Sequence, residues 1–309
     1  MKKLLLGTVL AGVVAIGAAC SNNSSMQGHD MSNMNMKEEN TAQDSSKKLP
    51  LATNTEVLSG KEINLTAKEA LLQINDQVKL PVYTYNGSVP GAQIRVKQGD
   101  NVKIVLKNEL PEPITIHWHG YPVPNNQDGV PGVTMDAIKP GETFTYEFTA
   151  TVPGTYFYHS HQKSAEQVDK GLYGTLIVEP KNEEKVDRDY TLVLDEWMSN
   201  PDEGNMDMSG MDHSNMNNGN SSDNQQMDMS SMGHDMNMYD IFTINGKSGS
   251  AVKPLKVKKG EKVRLRLVNA GYMAHKLHLH GHEFKIVATD GQPLKDPQPI
   301  KDEPESVMN

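Results

Sequence analysis

Four histidines are the side chains of this sequence best placed to do chemistry. His117 and His119 fall in Ile-His-Trp-His-Gly, and His159 and His161 in Tyr-Phe-Tyr-His-Ser-His. Residues i and i+2 of a β-strand project from the same face of a sheet, roughly 6–7 Å apart. Two such pairs on neighbouring strands therefore aim four imidazoles at one region of space. Neutral imidazole is a ligand for first-row transition metals, with copper at the top of the divalent affinity order and zinc accepting the same donor. A lone histidine in a core is more often a structural residue, but two His-x-His pairs in strand context are the pattern of a metal cluster. Donor type alone leaves copper and zinc both open.

The elements that must position these pairs are short strands. Runs such as QIRV, NVKIVL, ITIHWH, TFTYEFTA, YFYHSH and GTLIVEP recur between about residues 56 and 180, separated by turn punctuation at NGSVPG, QGD, NELPEP and KPGE. Strands at this spacing predict an all-β sandwich or barrel. A second β-rich run opens with YTLVLDEW (190–197) and resumes at IFTINGK (241–247), LKVKKGEKVRLRLVNAG (255–271) and HLHGHEFKIVATDG (278–291). Between them, residues 199–238 are nearly pure Met, Asp, Asn, Ser, Gly and Gln, a composition that predicts a disordered insertion. The predicted organisation is a first domain over 49–182 and a second over 186–309.

A chain of 309 residues has room for about two domains. Its net charge of -9 excludes a nucleic-acid partner, which would require clustered Lys and Arg, and favours small cations. Residues 1–20 read as an export signal: Lys2 and Lys3, an apolar run from Leu4 to Ala19, then Cys20, the sole cysteine, after Gly17-Ala18-Ala19. Cys20 stands where a bacterial lipoprotein carries its lipid, so the chain is expected to be an extracytoplasmic, membrane-anchored lipoprotein, although Gly17 occupies a position where Leu is usual. Residues 21–48 are mostly Ser, Asn, Asp, Lys and Met with almost no large aliphatic or aromatic side chains, and form a predicted flexible tether.

Thirteen of the 18 methionines lie in the two biased tracts. The second tract holds Met206, Met208, Met211, Met216, Met227, Met229, Met232, Met236 and Met238, with His213 and His234 among them. Thioether is a soft donor that selects Cu(I), and linkers are usually rich in Gly, Ser or Pro but not in Met. These residues are candidate auxiliary Cu(I) ligands.

The segments PGAQIRVKQGDNVKIVLKNELPEPITIHWHG and DGVPGVTMDAIKPGETFTYEFTATVPGTYFYHSH resemble the first cupredoxin domain of multicopper oxidases, the laccase-like enzymes. The resemblance implies tandem cupredoxin-like Greek-key β-sandwiches and a trinuclear copper centre held by four His-x-His pairs. His117 and His119 match the first pair and His159 and His161 the second, as ligands of type 2 and type 3 copper. Asp128 matches an acidic residue that delivers protons to bound oxygen. The resemblance tips the metal from zinc to copper.

The second half supports two readings. His275, His278 and His280 have the spacing by which members bind type 1 copper with the first histidine and the trinuclear cluster with the next two, with Lys276 in place of the usual Pro. The surrounding FTINGK, RLRLVNAG and ATDGQPL resemble instead the copper-free middle domain of three-domain members. In the first reading the chain is a two-domain oxidase whose clusters form between subunits. The type 1 site needs a cysteine thiolate, normally within His-Cys-His, and no His follows His282. The second sandwich is accordingly expected to be incomplete and the chain truncated. The implied function is oxidation of Cu(I) or a phenolic reductant with reduction of dioxygen to water, in copper tolerance. Two competitors stand beside it, a non-catalytic copper-sequestering protein and, with less support, a relative of copper nitrite reductase.

Overall fold

The computed structural model describes residues 48–182, 184–199, 238–301 and 305–307. The export segment, Cys20, almost all of the tether and residues 200–237 of the insertion lie outside them. The first half forms β1 (Val57–Ser59), β2 (Glu62–Gln73), β3 (Lys79–Tyr85), β4 (Gln93–Lys97), β5 (Asn101–Asn108), β6 (His117–His119), β7 (Thr143–Thr149), β8 (Gly154–His159), a short helix α1 (Ser164–Asp169) and β9 (Tyr173–Glu179). One sheet has the order β3-β2-β5-β7 and the other β1-β4-β9-β8-β6. Alternate residues of each strand fill the space between them: Val102, Ile104 and Leu106 from β5, Tyr146 and Phe148 from β7, Ile94 from β4 and Leu176 from β9. Strict alternation over two facing sheets is what closes a β-sandwich.

β2 is not among the runs that the sequence singles out, because EINLTAKEALLQ is built largely of good helix formers. Its burial follows the strand period all the same. Ile63, Leu65 and Ala67 enter the inter-sheet core while residues 62–67 pair with β5. At Lys68 and Glu69 the alternation shifts, so that Ala70 and Leu72 enter a second core while residues 67–73 pair with β3.

That second core joins Leu72, Ile74, Leu80 and Val82 to Val193, Trp197, Val268 and Ala270. The last four come from the second half, where β10 (Arg188–Trp197), β11 (Ile241–Ile244) and β12 (Val263–Asn269) form a sheet in the order β11-β10-β12. An ionic seam runs beside it. Arg266 grips both carboxylate oxygens of Asp189 at 2.9 Å, Arg95 reaches the same carboxylate at 2.9 Å, and Arg266 also donates to Thr155 Oγ1 at 2.7 Å. The remaining described strands are short: β13 (His275–Leu277), β14 (Glu283–Lys285), β15 (Ala288–Thr289), β16 (Gln292–Pro293), β17 (Pro299–Lys301) and β18 (Glu305–Val307), paired as β13-β18, β14-β17 and β15-β16. Residues 255–259 of the run LKVKK carry no strand, since pairing with β10 starts only at Val263. Among the described residues no helix is long and apolar enough to cross a membrane.

Candidate metal centre

The IHWH sequence alternates two destinations. Ile116 and Trp118 are buried in the first core, which turns His117 and His119 to the outer face of β6. Trp118 fixes that orientation, with its ring centroid 5.1 Å from Phe148, 5.5 Å from Tyr146 and 5.7 Å from Tyr158. β8 repeats the scheme: Tyr156 and Tyr158 point inward, Phe157 and His159 outward. β6 and β8 are antiparallel neighbours whose register sets His117 opposite His159 and His119 opposite Phe157. Alternation and this register put His117, His119 and His159 on one sheet face, and His161, two residues past the end of β8, folds in beside them.

The rings converge. The centroid of His117 lies 5.2 Å from His161, 5.4 Å from His159 and 5.9 Å from His119. One ligand nitrogen from each of His117, His119 and His159 falls within 4.8 Å of the others, and among the described residues no other group of three His, Cys, Asp or Glu does so. The four histidines line a cavity of about 230 Å³ whose far wall includes Ala270 and Tyr272 from the second half.

Backbone carbonyls choose the tautomers. His117 Nδ1–H donates to the carbonyl of Asp128 at 2.8 Å, and the Asp128 carboxylate stands 3.3 Å from the same nitrogen. His159 Nδ1–H donates to the carbonyl of Ser160 at 2.9 Å. Each bond leaves the Nε2 lone pair free for a metal. The Asp128 contact depends on Gly129, which has φ +77 and sits so close to Ile116 that a Cβ would overlap its carbonyl. Burial pulls the pKa of His159 down to about 3, its bond to Ser160 opposing and the neighbouring imidazoles reinforcing the shift. Burial, then His117 and His161, also lower that of His119. Both rings are neutral at pH 7, the form that binds metal.

The donor set and spacing fit a first-row ion. His119 Nδ1 and His159 Nε2 are 3.2 Å apart. Two imidazole nitrogens each bound at about 2.0–2.1 Å to one ion, with roughly 100° between them, would lie about 3 Å apart. Phe157 stacks on both rings, at 4.5 Å from His119 and 4.9 Å from His159, and restricts their tilt.

The other candidate residues lie elsewhere. His275 is on β13, its Nε2 3.1 Å from the buried Glu196 carboxylate, and His278 and His280 pack edge to face at 4.5 Å. None of the three belongs to the group around His117. Glu196 also accepts the backbone N–H groups of Tyr272 and Met273, and Gly271 leaves it the space to do so. Met206, Met208, Met211, His213, Met216, Met227, Met229, Met232, His234, Met236 and Cys20 lie outside the described residues. Met238 is at their edge. Ser160 and Gln167 are both fully buried beside the histidines, and the polar run QKSAEQVDK around Gln167 carries no signal of that burial.

Comparison with known proteins matches this arrangement to a family. The multicopper oxidase profile fits residues 66–183, and a second multicopper oxidase profile fits residues 188–302. The chain belongs to the multicopper oxidase family. Copper is the cofactor of these oxidoreductases, which use oxygen as acceptor. Copper resistance protein A of Escherichia coli is 33% identical over 276 residues, covering 80% of this chain and 44% of that protein. The multicopper oxidase MmcO of Mycobacterium tuberculosis is 29% identical over 239 residues, covering 74% of this chain and 47% of its own. The chain thus spans about half the length of these relatives. Among solved structures, the blue copper oxidase of Nitrosomonas europaea superposes with a TM-score of 0.67 at 35% identity, over 80% of this chain and 72% of that one. The copper nitrite reductase of the same organism gives 0.59 at 26% identity, over 81% and 83%.

Proposed function

We propose that the first sandwich supplies one side of a trinuclear copper centre, with His117, His119, His159 and His161 as ligands of type 2 and type 3 copper. The observation that carries this reading is the register of β6 on β8, which sets His117 and His119 on one face with His159, whose buried ring is held neutral and in one tautomer. These histidines would hold copper, which supplies the redox chemistry needed to reduce dioxygen to water at the expense of Cu(I) or a phenolic reductant. Asp128 is the proton relay: its carboxylate beside His117 can take a proton from solvent and release it toward the cavity. Phe157 excludes water from one side of the rings. His275, His278 and His280 are second-half ligands, and their distance from the first group in this chain favours a centre completed by another domain or by a second copy.

The same proposal places the chain outside the cytoplasm, anchored through lipid on Cys20, with the Met-rich tracts collecting Cu(I) for oxidation in copper tolerance. One observation favours a second reading, a copper-sequestering role: three imidazole nitrogens converge within 4.8 Å in a single sandwich, which suffices to hold a metal without a second redox site.

Replacing His117 and His159 by Ala, in a chain without the Met tracts, should remove bound copper after dialysis; unchanged stoichiometry would overturn the ligand assignment. Oxygen uptake with Cu(I) separates the two roles. Uptake that depends on His117 and His159 supports the oxidase, and tight binding without uptake supports sequestration.

A further inference from the structure

We infer that Gln167, through Ser160, is the positioning residue that clamps the His159-Ser160-His161 segment into its metal-binding geometry. The inference rests on the proposed copper centre and assigns a role to residues that touch no ligand atom themselves.

After β8 the chain leaves the sheet, reverses through Lys163 at φ 48, and enters α1. That reversal brings Gln167 back beneath Ser160. Both side chains have 0% exposure. Ser160 Oγ donates to Gln167 Oε1 at 2.5 Å, and Gln167 Nε2 donates to the carbonyl of Pro113 at 3.0 Å, just ahead of the β6 histidines. The backbone of α1 strengthens the link, since Leu172 N donates to the Gln167 carbonyl and Ser160 N to that of Leu172, both at 3.0 Å.

Three consequences reach the histidines. The Ser160 carbonyl accepts His159 Nδ1–H at 2.9 Å, so the orientation of the Ser160 peptide decides which nitrogen of His159 faces the cavity. His161 N donates to the buried Thr115 Oγ1 at 3.2 Å, tying the second ligand of the pair to the segment just before His117. Gln167 bridges the same two segments through Ser160 and Pro113. One amide thereby couples the β8 pair to the β6 pair, and it does so where water cannot replace a lost partner. Outer-shell bonds of this kind are worth about 10–100-fold in metal affinity. A purely structural amide would contribute to stability without touching the metal spectrum.

The test uses the full chain loaded with Cu(II), read by electron paramagnetic resonance and by competition with a chelator, beside thermal unfolding. The His117→Ala/His159→Ala variant defines the part of the signal that belongs to the centre. Gln167→Leu should weaken that copper about 10–100-fold and alter its hyperfine pattern. Val102→Ala, a core change in the sheet that does not carry the histidines, should lower the melting temperature without either effect. Adding Ser160→Ala to Gln167→Leu removes both members of the buried pair, which should restore part of the stability while copper stays weakly held. Should Gln167→Leu fail to fold, Ser160→Ala alone is expected to show the same spectral change. Wild-type affinity and spectrum in Gln167→Leu, or in Ser160→Ala where only that variant folds, would overturn the clamp and leave the centre standing, as would recovery of affinity together with stability in the double variant. A copper signal indifferent to His117 and His159 would overturn the centre, and the clamp with it.

Discussion

β5 and β12 carry the same message in sequence and meet opposite fates. In β5, Val102, Ile104 and Leu106 alternate with Lys103, Val105 and Lys107, and all three are at most 2% exposed. In β12, Val263, Leu265 and Leu267 alternate with Arg264 and Arg266, yet they stay 37% to 41% exposed. The arginine face of β12 is the engaged one, through Asp189 and Thr155. Alternation thus specifies a strand and its two faces, but burial of the apolar face needs an opposing layer. The first half supplies one for β5 in its second sheet; among the described residues, nothing seals the apolar face of β12. Phe242, Leu255, Val257 and Val287 add to the exposed apolar surface of the second half.

The largest expected effect sharpens this contrast. Ile104→Ala opens a cavity in a closed core and should cost about 2–5 kcal/mol. Leu265→Ala removes a side chain already in contact with water and should stay within about 0.5 kcal/mol. Denaturant titrations of both variants compare them directly. Equal losses would mean that the β12 face is packed in solution, and the contrast between the halves would collapse.

Much of the fold and the site follows from sequence for reasons the two strands make plain. The His-x-His pairs were legible because Trp118 and Tyr158 are the apolar members of the same alternation, so the histidine face was implied by its complement. β2 was not legible, because its Ala, Lys, Glu and Leu content favours helix and only pairing with β3 and β5 makes it a strand. The Gln167 bridge was also invisible: no periodicity announces a residue from a six-residue helix whose partners Ser160 and Pro113 are brought together by tertiary folding. In the second half β10, β11 and β12 fall in the predicted β-rich runs, but β13 to β18 have three residues or fewer, too short for a period to register.

A smaller effect concerns association. An apolar strand face open to water is a site for self-association or dye binding. Converting Leu265 and Leu267 together to Thr keeps β propensity while removing the apolar surface. Sedimentation and binding of a hydrophobic dye should both fall, with the unfolding midpoint nearly unchanged. Dye binding equal to that of the wild type would place the sticky surface elsewhere.

The smallest effect is a difference in pH slope between two aspartates of β10. Asp189 sits in the ionic seam; burial pushes its pKa up, but hydrogen bonds from Arg266 and Arg95 outweigh that and leave it below the usual carboxylate range. Asp195 is buried, and that burial raises its pKa well above the usual range, the 2.5 Å bond from Tyr173 opposing and the neighbouring Glu196 and Asp169 adding to the rise. The signs are opposite. Asp189 stabilises the fold above its unfolded pKa, about 3.9, and that contribution is lost as pH falls through its lower folded value. For Asp195 the folded state keeps a proton that the unfolded chain has released, so its contribution is full below about 3.9 and is lost as pH rises toward the raised folded value. Asp195→Asn keeps an acceptor for Tyr173 and removes the ionisation. Its melting temperature should therefore gain on the wild type between pH 4 and pH 7, whereas Asp189→Asn should lie below the wild type by a nearly constant amount over that interval and converge with it only as pH falls below about 4. Melting curves at half-unit pH steps resolve the two slopes, and an Asp195→Asn profile parallel to the wild type throughout would show that this carboxyl is ionised in the folded protein at neutral pH without cost.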